Sequence, residues 1–312
     1  MSAAHGAADA GPTVVAVGGN ALLRRGGPHD AGTEHRNAAV AAAAIARLGH
    51  AGGLVVTHGN GPQVGALALG AEAIGHHEPM AVLVAESQGH VGHLLHAALA
   101  ASLAPGNPVT TVTTVLTHVE VDPADEAFAR PSKPIGAMLD EPTARALAAA
   151  HGWSVAPDGD GWRRVVASPR PVRIGEVEQV RSLAAPGRVV LCCGGGGIPV
   201  LRRPDGGWDD AEAVVDKDLT SALLAVELDA ERLVILTDVD AVERGHRTPA
   251  AAPIASATVA EMGDLVLDAG TMGPKVDAAC RFVEATGRPA HIGAIGRADA
   301  VAAGRAGTTV VP

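Results

Sequence analysis

The chain contains 21 arginines and only three lysines, Lys133, Lys217 and Lys275. A composition this rich in arginine readily replaces a surface lysine. Those that persist therefore mark positions where a compact ammonium serves and a planar guanidinium does not. They stand in Pro131-Ser132-Lys133-Pro134-Ile135-Gly136, Val215-Asp216-Lys217-Asp218 and Met272-Gly273-Pro274-Lys275. Converging ammoniums suit phosphoryl transfer, which needs charge neutralised on the moving group and on both flanking oxygens and asks for little covalent chemistry. A carboxylate has to orient such a set. Asp218 is the natural candidate and Asp216 the second, although Asp-Lys-Asp also reads as an ordinary helix start, where carboxylates are favoured by the helix dipole.

Three glycine-rich segments each follow a predicted strand: Gly18-Gly19-Asn20, Gly59-Asn60-Gly61 and Gly194-Gly195-Gly196-Gly197. Beyond the carboxyl ends of parallel strands, glycine lets backbone N–H groups approach phosphate oxygens, and the next helix adds its positive end. One such loop is equally well a tight turn, but three in one chain point to a shared anion site. None fits a dinucleotide or Walker signature: Gly59-x-Gly61 leads to Val64, Gly194-x-Gly196 leads to Pro199, and no lysine follows a G-x-x-x-x-G run. A dehydrogenase and a Walker-type NTPase are thereby disfavoured, and no G-x-S-x-G hydrolase segment occurs. His90, His93 and His96 share a helical spacing that could present two imidazoles to a metal. Without acidic ligands nearby, helix packing is the better reading, and no protein-held metal is expected.

The elements needed to position these residues alternate along the chain. Strands are predicted at 13–17, 54–57, 109–116, 188–193, 232–237, 289–292 and 308–311. Helices are predicted at 33–48 (capped by Thr33 and ended by Gly49), 63–74, 80–103, 217–228, 259–267 and 274–286. Such alternation indicates an α/β chain whose parallel sheet is covered on both faces. Residues 118–172 break the pattern with Pro, Asp, Gly and Arg. One helix is expected near 141–150, and a hairpin over 153–173 turns at Asp158-Gly159-Asp160-Gly161. An excursion of this length reads as a lid or binding subdomain. Residues 1–11 read as a flexible tail and 12–312 as one domain.

Composition narrows the partners. A net charge of −10 leaves no broad basic face for nucleic acid. With three Trp, two Phe and no Tyr, the core must be built from Ala, Val, Leu and Ile. Neither a signal peptide nor a membrane span is legible, so a cytoplasmic protein is expected. Cys192 and Cys193, adjacent on a predicted strand, should point to opposite faces, and with Cys280 they form no disulfide or zinc framework.

Together, seven segments resemble the carbamate kinases of the amino acid kinase family, in order and spacing, from about residue 13 to 311. They are VVAVGGNALL (14–23), HGNGPQVG (58–65), SKPIG (132–136), LCCGGGGIPV (191–200), EAVVDKDLTSALLA (212–225), LTDVDAV (236–242) and GTMGPKVDAA (270–279). The resemblance implies an open three-layer αβα sandwich with a mainly parallel central sheet, a small protruding subdomain near 118–172, and a homodimer. It implies a carbamate or carbamoyl-phosphate half (12–187) and a half for ADP or ATP with Mg2+ (188–312). Gly18, Gly19, Asn20, Gly59, Asn60 and Gly61 would surround the transferred phosphoryl group. Lys133 would reach in from the subdomain. Lys217 and Lys275 would meet the nucleotide phosphates, Asp218 would organise them, and Asp216, Thr237, Asp238, Met272 and Gly273 would complete the nucleotide site. The chain departs from the family at Ala137-Met138-Leu139, where an aromatic pair is common, and at Glu243, where an aromatic or apolar residue often stands near the adenine. The implied activity is reversible phosphoryl transfer between carbamoyl phosphate and ADP, as in arginine or purine-derivative breakdown. The alternatives are a relative acting on another carboxylate or phosphate, or a silent ligand sensor. Such relatives carry a lysine where Ala16-Val17 stands here, and a sensor has no need of all three lysines and Asp218.

Overall fold

The computed structural model describes residues 11–19, 30–48, 52–76, 78–102, 110–246, 248, 250–265, 267 and 272–312. A central sheet gathers β1 (Thr13–Val17), β2 (Leu54–His58), β3 (Thr111–Thr114), β4 (Arg188–Leu191), β5 (Arg232–Thr237), β6 (Ser256–Thr258), β7 (Ala290–Ala294) and β8 (Thr308–Val311). Their spatial order is β6-β8-β7-β5-β1-β2-β4-β3. Every pairing is parallel except β7 with β8. In chain order the helices are α1 (Ala31–Ala46), α2 (Gly61–Ala73), α3 (Met80–Ala101), α4 (Glu141–His151), α5 (Val177–Leu183), α6 (Lys217–Glu227), α7 (Val259–Gly263), α8 (Gly273–Thr286) and α9 (Ala298–Ala302). None of these is long and apolar enough to cross a membrane.

Alternation along the central strands divides the apolar side chains between two layers. Val14, Ala16, Leu233 and Ile235 face α6 and α8, where Leu224, Ala278 and Phe282 are fully buried. Val15, Val17, Val234 and Leu236 face α1, α3 and α9, through Ile45, Leu95 and Val301. Both faces being covered explains why β1 and β5 are apolar throughout. This is the three-layer α/β arrangement expected from the alternation. In the register, Val17 lies opposite both His58 and Leu236, so β1, β2 and β5 end at nearly one level. The chain leaves β1 for β2 on one side and returns as β5 on the other, and the loops between open a crevice at that edge.

Two smaller sheets stand beside this core. Lys133–Leu139, Gly161–Val166 and Ser154–Asp158 form one, with Asp158 paired to Gly161 across the expected turn. The other joins Trp208–Asp210, Ile198–Arg202, His118–Val121 and Pro171–Ile174. The predicted hairpin therefore ends at Val166, and Pro171–Ile174 pairs instead with His118–Val121 from an earlier part of the chain, a non-local choice that turn signals do not encode.

Local corrections have similar causes. Asp30, not Thr33, caps α1: its carboxylate accepts the Thr33 N–H at 2.9 Å and the Thr33 hydroxyl at 2.7 Å. The expected stop at Gly49 lies outside the described residues. β4 ends at Leu191, and Cys193 turns into the left-handed region at φ 50°. Both Cys192 and Cys193 consequently enter the same apolar layer as free thiols, instead of pointing to opposite faces.

The strand Lys133–Leu139 is seated on α2 by contact between two glycines. A Cβ on Gly65 would lie 1.9 Å from the Gly136 Cα, and Gly136 itself has φ +74°. Gly65→Ala should lower stability by about 3 kcal/mol through this overlap, read as a reduced urea midpoint. An unchanged midpoint would show that the strand can retreat at no cost.

Candidate active site

The crevice at the ends of β1, β2 and β5 is built from backbone. The Gly18 N–H continues the ladder to the Leu236 carbonyl at 2.8 Å, and the Gly59 N–H to the Val17 carbonyl at 3.2 Å. The two loops then touch: a Cβ on Gly59 would fall 2.9 Å from the Gly19 Cα, so only glycine permits the approach. From below, α3 braces the loop at Gly59-Asn60 and the one at Gly194 with polar side chains. Buried Asn60 donates to the Ser87 hydroxyl at 2.6 Å, while Gln88 donates to the Gly194 carbonyl at 3.0 Å and accepts the Thr117 N–H at 2.7 Å. Ser87 and Gln88 were not singled out from sequence. Their signal is an adjacent polar pair in a helix otherwise rich in Ala, Val and Leu.

Five charged side chains line one wall. Asp216 is the N-cap of α6, and its Oδ1 accepts the N–H groups of Asp218 at 2.9 Å and Leu219 at 3.3 Å. Its Oδ2 accepts from the Lys133 ammonium. Asp218 divides its two oxygens between Lys217 at 2.5 Å and Lys275 at 3.2 Å. The Lys217 and Asp218 side chains are only 9% and 4% exposed, so their charges have left water and depend on one another. Burial pushes the Asp218 carboxyl up, but the two ammoniums prevail and hold it well below the usual carboxylate range. Burial pulls Lys217 down against the pull of Asp218, whereas Lys275 is raised because Asp218 outweighs its own burial. Within this cluster three ammoniums face two carboxylates, and Arg163, Asp238, Asp240 and Glu243 line the cavity beyond it. The helices α6 and α8 begin at this wall and α2 at the facing glycine loop, adding their positive ends.

The crevice has a volume of about 890 Å³. Gly18, Gly19, Gly59, Asn60, Gly61, Lys133, Asp216, Lys217, Asp218, Thr237, Asp238, Met272 and Lys275 all line it. Gly273 opens α8 between two lining residues, Met272 and Pro274, without lining the cavity itself. Asn20 lies outside the described residues. Residues where the chain departs from the resemblance, Ala137, Met138 and Glu243, are on the wall too. So is Arg163, which sequence reading passed over: its guanidinium donates to the Gly136 carbonyl at 2.8 Å and to Asp158 at 3.2 Å. Its only signal is an arginine pair on the predicted hairpin. The α3 histidines do not converge on a metal position: His90 meets Glu34 at 3.1 Å and His96 the Thr114 hydroxyl at 2.9 Å.

A wall of this kind has the charges to neutralise and orient a phosphorylated ligand. Comparison with known proteins shows the family. The profile of the amino acid kinase family matches residues 11–294. A carbamate kinase from Escherichia coli strain K12 is 48% identical over 299 residues, covering 95% of this chain and 98% of that protein. The solved structure of Giardia lamblia carbamate kinase bound to citric acid superposes with a TM-score of 0.88 at 35% identity, covering 97% of this chain and 99% of that one. The structure of the same Giardia enzyme bound to AMP-PNP gives 0.83 at 34% identity, with the same coverage.

Two buried histidines make stability depend on pH. Burial lowers His58, in the floor of the crevice, from 6.5 to about 4, against a backbone hydrogen bond at Gly59 and with help from Lys217. Burial likewise lowers His291, on β7, to about 4, with a contribution from Arg232. The unfolded chain therefore takes up protons first as pH falls below 6.5, and the stabilisation present above that pH is lost on the way down through 4. Urea midpoints should fall between pH 6.5 and 4.5, and His291→Gln should remove about one proton from that dependence. An unaltered slope in the variant would show that His291 is protonated in the folded chain.

Proposed function

The chain belongs to the amino acid kinase family and within it to the carbamate kinases, and we propose that it transfers a phosphoryl group between carbamoyl phosphate and ADP. The observation that carries this reading is the convergence of all three lysines of the chain, with Asp216 and Asp218, on one cavity. In the ATP-forming direction, a β-phosphate oxygen of ADP attacks the phosphorus of carbamoyl phosphate. The bond from phosphorus to the carbamate oxygen breaks, and carbamate leaves with that electron pair, later decomposing to ammonia and carbon dioxide. Negative charge is conserved across the step. The demand on the protein is to hold two anions together and to neutralise the equatorial oxygens in the transition state.

In this reading the backbone of Gly18, Gly19, Gly59, Asn60 and Gly61 holds the acyl phosphate, with Lys133 above it. Lys217 and Lys275 bridge the transferred group and the nucleotide phosphates. Asp218 keeps both ammoniums charged and in place, and Thr237, Asp238, Met272 and Gly273 flank the nucleotide. Residues 12–187 serve the carbamoyl end and 188–312 the nucleotide. Support for an ATP-type ligand comes from the related Giardia enzyme, whose structure holds AMP-PNP. Asp216 and Asp218 both face lysines, and among the described residues no three His, Cys, Asp or Glu side chains gather around a metal position. That donor set suits magnesium as part of the nucleotide substrate, carried on its phosphates. A cytoplasmic homodimer that consumes carbamoyl phosphate in arginine or purine-derivative breakdown is the setting that this reading implies.

The purified protein should form ATP from ADP, magnesium and carbamoyl phosphate. Lys217→Ala and Lys275→Ala should each lower kcat by about 10²–10³-fold, the scale for losing one preorganised charge in a transition state. Near-normal turnover in both variants would sink the assignment.

A further inference from the structure

Lys217 and Lys275 share Asp218, but Lys133 is held differently. It arrives from a smaller sheet, 83 residues earlier in sequence, and its ammonium rests on the outer oxygen of Asp216. The inner oxygen of that carboxylate starts the helix that carries Lys217 and Asp218. One buried side chain thus ties the beginning of α6 to a lysine from another layer of the fold.

The backbone of Lys133 is anchored without Asp216. Lys133 pairs with Val166, the Ser132 N–H donates to the Val166 carbonyl at 3.1 Å, and Arg163 holds the Gly136 carbonyl. What Asp216 governs is therefore the ammonium. The Lys133 side chain is 31% exposed, against 9% for Lys217 and 13% for Lys275, so packing confines it least of the three. A lysine stem has several freely turning bonds, and ordering it costs entropy unless a partner holds its head.

We propose that Asp216 is the positioning residue for Lys133, its outer oxygen presenting the ammonium to the acyl-phosphate end of the cavity while its inner oxygen caps α6. The proposal rests on the kinase reading above. It separates two duties that one aspartate would otherwise conceal, and it makes the carbamoyl end of the site depend on the helix start at the nucleotide end.

The duties can be separated by substitution. Asp216→Asn and Asp216→Ser each keep an oxygen able to cap a helix, whereas Asp216→Ala does not. An asparagine that caps through its carbonyl oxygen turns its amide toward the ammonium, and serine has nothing to reach it. Both cap-competent variants should melt close to the parent and Asp216→Ala below it. In steady-state assays of ATP formation, Asp216→Asn and Asp216→Ser should raise KM for carbamoyl phosphate about tenfold or more while KM for ADP stays within about twofold. In a Lys133→Ala background the same substitutions should add nothing further, since the effect passes through that lysine. The proposal is overturned by an unchanged or lowered KM for carbamoyl phosphate, by equal rises for both substrates, or by full additivity with Lys133→Ala. A folded parent that forms no ATP would instead bring down the kinase reading, and the proposal with it.

Discussion

Holding like charges together where they are largely withdrawn from water is the constraint on which the rest of this structure depends. Lys217 and Lys275 could not both stay protonated in the wall of one cavity without a carboxylate between them, and Asp218 meets each with a separate oxygen. Removing a charged partner from such an arrangement leaves an uncompensated buried ion, which costs far more than the pair contributes when intact. The surrounding architecture keeps the geometry rigid. The start of α6 sets the backbone at 217 and 218, the start of α8 brings in Lys275, and both helices are clamped to the sheet by buried Leu224, Ala278 and Phe282.

The opposite wall solves the complementary problem of offering donors without bulk. Parallel strands that end level leave their last N–H groups and the following loops at one edge, and the glycines let those loops touch. Such loops would be soft if solvated on both sides. Here Asn60, Ser87, Gln88 and Thr117 satisfy one another and the loop carbonyls beneath the surface, giving the backbone a fixed floor. Buried polar groups of this sort are costly when incomplete and stiffening when satisfied. The anion-facing surface can therefore be nearly bare backbone while Ser87, Gln88 and Thr117, which help to hold it, lie behind the cavity lining.

Some of this was legible before any coordinates. Apolar runs at 13–17 and 232–237 could belong only to strands covered on both faces, and glycine directly after them announced a phosphate-sized approach. The scarcity of lysine singled out Lys133, Lys217 and Lys275, and all three line the cavity. Other features were hidden because their signals are not local. Asp30 displaced Thr33 as a cap because two neighbouring groups compete for one helix end, and propensity alone does not rank them. The strand after the hairpin found its partner at 118–121, a pairing settled by sheet packing. Arg163 looked like any surface arginine, since nothing in Trp162-Arg163-Arg164 says which guanidinium turns inward toward the Gly136 carbonyl.

Residue type and spacing by themselves determined the layered α/β class, the glycine loops at strand ends and the shortlist of charged groups, because periodicity and steric limits act over a few residues. Tertiary structure alone decided which oxygen of which aspartate each lysine meets. Lys133 and Asp216 are 83 positions apart, and Lys275 and Asp218 are 57. Contacts over such separations are selected by the packing of sheets and helices into one body. The stretch Asp216-Lys217-Asp218 is the same three residues in either view. It reads as an ordinary helix start in the chain and becomes the junction of three ammoniums only once the fold has brought the other two to it.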